Sequence, residues 1–172
     1  LEYKKNSYPS SYYPGTDNYF LSASDAQSIV EQYEKVMGIK ESFNQRNINK
    51  GALSLLGRLD WNINDANHLS FRYQLNNSYK DVYGSSTYTY YFNNSAYKMK
   101  DKTNSFVAEL TSNISNSLYN ELRAGVTFVR DNRAVPYQGP TIYITTEQGN
   151  NIDLGTEYSS GANYLNQDIW TL

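Results

Sequence analysis

Four stretches of the chain alternate apolar and polar residues with period two, and this alternation restricts the fold more than any other feature of the sequence. From Leu53 to Ile63 the odd positions carry Leu53, Leu55, Leu59, Trp61 and Ile63, and the even ones Ser54, Arg58, Asp60 and Asn62. After Asn64-Asp65-Ala66-Asn67 the pattern resumes, with Leu69, Phe71, Tyr73 and Leu75 against Ser70, Arg72, Gln74 and Asn76. Successive strand side chains point to opposite faces, so each stretch predicts a strand and the polar spacer a tight turn. A second hairpin obeys the same logic. Phe106, Ala108, Leu110 and Ile114 lead into Ser115-Asn116-Ser117, and Leu118, Leu122, Ala124, Val126 and Phe128 lead out.

The formal charges in these strand centres, Arg58, Asp60, Arg72, Glu109, Glu121 and Arg123, all fall on the polar side. A soluble sheet with one dry face and a membrane barrel both give this segregation. Connection lengths separate the two. The turns within hairpins are short, whereas residues 1–50, 77–103 and 131–167 form long connections. Short turns alternating with long loops mark a transmembrane β-barrel, whose strands cross the bilayer in about 9–11 residues. Structureless loops beyond about 15 residues are uncommon in a compact soluble domain. The expected domain plan is a long extracellular connection over 1–50, two barrel hairpins over 51–130 with a loop at about 77–103, and a long loop with the start of the next strand over 131–172. The fold class is therefore mainly β, four full antiparallel up-and-down strands and the beginning of a fifth, forming part of a barrel wall.

Composition closes off other classes. Lys and Arg number 15 against 17 Asp and Glu, a net charge of −2, which predicts no basic stripe and no nucleic-acid partner. With no Cys and one His, a metal centre or thiolate chemistry has no ligands to draw on, and no cofactor is implied. Within the first connection, Ser22-Ala23-Ser24-Asp25 opens a helical spacing of Ala26, Ile29, Val30, Tyr33, Val36 and Met37 that ends at Gly38. This predicts one capped helix at about 22–37, packed on the loop region.

The chain contains 18 Tyr, many of them clustered in the connections. Tyr83, Tyr88, Tyr90, Tyr91 and Tyr97 crowd the second long loop, and Tyr3, Tyr8, Tyr12, Tyr13 and Tyr19 the first. Such rings suit ligand stacking in an outer vestibule, and equally a β-rich collar on which Tyr fits a half-wet pleat. Ser95-Ala96-Tyr97-Lys98 has the Ser-x-x-Lys spacing of penicillin-binding enzymes without the partner motifs. Asp60 with Glu109 or Glu121 reads as lumenal ion pairing with the neighbouring arginines rather than as an acid/base pair, His68 as a turn residue, and no catalytic residue is assigned.

Arg58-Leu59-Asp60-Trp61-Asn62-Ile63-Asn64 and Leu69-Ser70-Phe71-Arg72-Tyr73 resemble an early hairpin of TonB-dependent outer-membrane receptors, in the subgroup with a carboxypeptidase-regulatory-like domain before the plug. Asn120-Glu121-Leu122-Arg123 to Arg130-Asp131-Asn132-Arg133, and Leu154-Gly155-Thr156-Glu157 to Asn166-Gln167-Asp168-Ile169-Trp170-Thr171-Leu172, are similar to the succeeding stretches of such receptors. The resemblance implies a many-stranded barrel in the outer membrane of a Gram-negative bacterium. It also implies a plug, import of a nutrient with energy delivered through TonB, and in some cases a surface lipoprotein partner. Arg58, Asp60, Arg72, Glu109, Glu121 and Arg123 would then face the lumen or plug. The chain opens at Leu1 and closes mid-alternation, and it holds no plug or TonB-contacting box, so a fragment of the wall is expected. The competing expectation is a soluble Tyr-rich β-sandwich that binds carbohydrate.

Overall fold

The alternating stretches become the centre of one long-stranded sheet in the computed structural model, which describes residues 1–172. In chain order the elements are β1 (Glu2–Pro9), α1 (Ala23–Met37), β2 (Asn47–Asn64), β3 (Asn67–Val82), β4 (Thr89–Tyr91), a 3-10 turn (Asn93–Ser95), β5 (Tyr97–Ser115), β6 (Leu118–Ala134), β7 (Thr141–Thr145), β8 (Asn151–Gly155) and β9 (Tyr164–Thr171). The main sheet runs β1-β2-β3-β5-β6-β9, antiparallel throughout. It is an up-and-down wall, open at β1 and β9.

Both hairpin turns are two-residue loops, Asp65-Ala66 and Asn116-Ser117, each preceded by a bulge at Ile63 or Ile114. Asn64 Oδ1 accepts from the Ala66 amide at 3.0 Å and from Asn67 Nδ2 at 2.9 Å, closing the first turn locally. Register then fixes the faces. Leu59 lies opposite Phe71, Phe71 opposite Ala108, and Ala108 opposite Ala124. The row Asp60, Ser70, Glu109 and Arg123 occupies the other face.

The central strands have 16 to 19 residues, well beyond the roughly 9–11 needed to cross a bilayer. This corrects the expected boundaries. The connection after β3 spans 83–96 rather than 77–103, β9 begins at Tyr164, and residues 2–9 are a sixth wall strand instead of loop. The alternation fades near Asn77 because strands that rise above an apolar environment are wet on both sides, and the ladder continues without a dry face to write a pattern. All of β1 is exposed, for the same reason.

The three long connections are not structureless. They fold together into a cap, with α1 packed beside a three-stranded sheet ordered β4-β8-β7. Its core comprises Leu21, Ala26, Val30, Tyr33, Tyr90, Phe92, Ile152 and Leu154, drawn from all three connections. Ser22 caps α1 by accepting from the Asp25 amide, and Gly38 ends it in the left-handed conformation at φ 68°, donating to the Glu34 carbonyl.

No second layer covers the wall. Leu59, Trp61, Phe71, Phe106 and Leu122 are all exposed on one face, and the Arg58 and Arg123 side chains on the other. The sandwich alternative requires that the apolar face be covered, and it is not.

Candidate functional site

The polar face of the wall carries a charge ladder. Arg58 lies opposite Arg72, a like-charge juxtaposition, but its guanidinium turns along its own strand to Asp60, with Nη2 to Oδ1 at 2.8 Å. Arg123 holds Glu109 across the strands at 2.7 Å and Glu121 on its own strand at 2.8 Å. His68, expected as a simple turn residue, joins this ladder: one ring nitrogen lies 2.6 Å from Asn62 Oδ1 and the other 3.4 Å from Asp60. Arg72 alone among the six has no carboxylate within 4.0 Å. The six charged residues therefore share one face, five of them paired.

The cap supplies a second polar site. A cleft of about 170 Å³ opens where it meets the wall, bordered by Ser11, Tyr12, Arg46, Tyr83, Ser85 and Tyr91. The Arg46 guanidinium stands 4.7 Å over the Tyr83 ring, and its Nη2 is buried without a hydrogen-bond acceptor. Whole-ligand pockets run to about 300–1,000 Å³, so this cleft has room for one planar or anionic group of a larger molecule.

The five loop tyrosines do not form one surface. Tyr88 is exposed, Tyr83 and Tyr91 border the cleft, and Tyr97 sits beneath Arg133 at 5.4 Å. Tyr90 also lines this cleft, from the core side: its ring is 2 % exposed and packs edge-on to Phe92 at 5.0 Å. Arg46 had no motif to announce it. The one signal was its place as the sole cation between Lys40 and Lys50. Ser95 is buried, its hydroxyl donating to the Gly155 carbonyl at 2.7 Å, while Lys98 turns to Asp81 at 3.5 Å. The Ser-x-x-Lys spacing thus serves packing.

Electrostatics in the cap reflect burial. Desolvation pushes the Tyr90 and Tyr91 hydroxyls up to about 12 and raises the Glu41 carboxyl, against which the amides of Ser42 and Asn94 donate to it at 3.0 Å each. Asp153 is likewise raised by burial, with Glu157 adding to the effect and Tyr91 opposing it. Burial lowers Arg46 from its ordinary value, partly countered by the surrounding tyrosines and Glu41.

Residues 13–167 match the family model of an outer membrane beta barrel domain. The chain belongs to that family. No curated protein and no solved structure matches it. The barrel wall sits in the outer membrane, and its open apolar face is the one that meets lipid. An open groove lies on that face, where Ala108 and Ala124 leave space among Phe71, Tyr73, Phe106 and Trp170. Acyl chains, not a polar cargo, suit such a lining.

Proposed function

We propose that this wall belongs to a TonB-dependent receptor that imports a nutrient across the outer membrane with energy from the inner membrane. The observation that carries the reading is Arg72, an unpaired guanidinium in an otherwise paired ladder. In a barrel whose apolar face meets lipid, the polar face turns to the lumen. An open pore would hydrate Arg72, and a plug would offer it a carboxylate; the paired residues around it fit a packed interior. The cap, with the Arg46 cleft at its junction with the wall, supports a vestibule that takes one anionic or planar group of the cargo before passage. The plug, the TonB contact and any surface lipoprotein would lie outside this chain.

The test uses the full-length protein. Reconstituted in planar bilayers, a plugged receptor gives no steady conductance, and cells carrying it show the same nutrient-limited growth defect when either its gene or TonB is deleted. A stable open-pore conductance, or a growth defect indifferent to TonB, would rule the reading out.

A further inference from the structure

The outer face of the wall changes character above its apolar band. On β5, Phe106 is succeeded outward on the same face by Asn104, Lys102, Lys100 and Lys98, and on β6, Phe128 is succeeded by Arg130 and Asn132. Register sets Lys102 directly opposite Arg130 on one side and Asn77 on the other, with Lys100 between Tyr79 and Asn132. Lys5 joins the same face opposite Gly51. Five cations are thus gathered here with two carboxylates, Asp81 and Asp168, on a chain whose overall charge is −2. Net charge alone hid this stripe, because Lys98, Lys100 and Lys102 alternate along β5 with Met99 and Asp101, which face the other way.

The two carboxylates are already engaged. Asp81 takes Lys98 at 3.5 Å and Asp168 takes Arg130 at 2.6 Å. Lys100 and Lys102 are exposed, and no carboxylate lies within 4.0 Å of either. Like charges directly opposite across an antiparallel pair destabilise it unless an anion lies between them. The position says which anion is at hand. Lys102 is four residues beyond Phe106, about 13 Å along the strand and roughly 10 Å in height once the strand tilts. That is the headgroup layer, where phosphate-bearing lipid meets a basic surface and Lys and Arg stems reach along the apolar face.

We propose that Lys100, Lys102 and Arg130 form an external site for the phosphate of an outer-leaflet lipid headgroup. Arg130 is held in place by Asp168 at Nη2 and by the Val129 and Gln167 carbonyls at Nη1, so it contributes fixed positive charge, and the two lysines contribute the mobile ammonium groups that close on the phosphate oxygens. The site depends on the membrane orientation of the wall and not on what passes through the barrel.

The experiment uses the full-length protein in mild detergent, with native mass spectrometry counting bound lipid A and, in parallel, lipid A stripped of its phosphates. The wild type retains the phosphorylated probe, and K100E/K102E retains it about tenfold less or weaker still. K100Q/K102Q, which adds no repulsion, lies between the two; heat-modifiable migration on a gel shows that each barrel is folded. K50E/K80E, which changes two lysines on the opposite face, binds as the wild type does. Inorganic phosphate does not displace the lipid. Equal retention by wild type, K100E/K102E and K100Q/K102Q would overturn the proposal. So would equal binding of the dephosphorylated probe, displacement by inorganic phosphate, or loss confined to K50E/K80E.

Discussion

Leu59 and Phe71 face each other directly across the first hairpin, and they remain 64 % and 44 % exposed with nothing of the chain above them. A pair of large apolar side chains in that state is stable against lipid and a liability in water. Replacing either by Arg near the bilayer midplane costs about 2–4 kcal/mol. Leu59→Arg and Phe71→Arg should therefore depress refolding into lipid vesicles strongly, and Gln74→Arg on the opposite face only slightly. Urea titration of the refolded barrel measures this, and equal losses at all three positions would reverse the assignment of faces.

Phe92 is fully buried where the three connections meet, against Tyr90 at 5.0 Å and Phe43 at 6.3 Å. Phe92→Ala leaves a cavity that costs about 3–5 kcal/mol in a well-packed core. The loss falls on the cap alone, because the wall draws its stability from its own ladder. Limited proteolysis should cut the variant within residues 83–96 and 135–163 while the strands stay protected. Cleavage inside β5 or β6 would show instead that cap and wall unfold as one unit.

The two hairpins were legible because lipid imposes one dry face and the pleat writes it into the sequence at every second residue. Beyond the apolar band that constraint ends. β1, with Lys4 and Lys5 beside Asn6 and Ser7, pairs with β2 along the backbone ladder, with Lys50 over the Tyr8 ring at 5.7 Å, and leaves no alternation to read. The cap was hidden for a different reason. Tyr90, Ile152 and Val30 are far apart in the chain, and only their packing shows that a Tyr in a Tyr-rich loop is core and not surface. Arg46 and Tyr83 likewise meet from separate connections. The charge ladder was readable by parity, but Arg58 turning to Asp60 and leaving Arg72 alone is a side-chain choice that parity cannot give.

Gly155 closes β8 with φ +79°, a conformation that L side chains rarely adopt, and a Cβ there would stand 2.0 Å from the Pro140 carbonyl oxygen. Its own carbonyl accepts from Ser95 at 2.7 Å, tying the third connection to the second. Gly155→Ala should open the β7–β8 end of the cap and loosen both connections. Hydrogen exchange is the direct measure: the amides of Asn151–Gly155 should lose protection, while those of β2 and β3 keep it. Unchanged protection in the variant would mean that Pro140 yields without cost.

Glu41 and Asp153 make the cap sensitive to pH. Burial holds both carboxyls above their ordinary values, so folding takes up protons over the interval between the unfolded and the folded titration. A raised acid is stabilising, relative to its charged form, below the unfolded value, and that advantage is lost as pH rises through the shifted one. The cap should therefore resist proteolysis better near pH 5 than near pH 8, the opposite of what carboxylates held by ion pairs give. Glu41→Gln keeps an acceptor oxygen for the amides of Ser42 and Asn94 and removes the charge. Together with Asp153→Asn it should flatten the profile and bring resistance at pH 8 up to the acidic level. A wild-type cap that grows more resistant with rising pH would show that the donors around these carboxyls outweigh their burial.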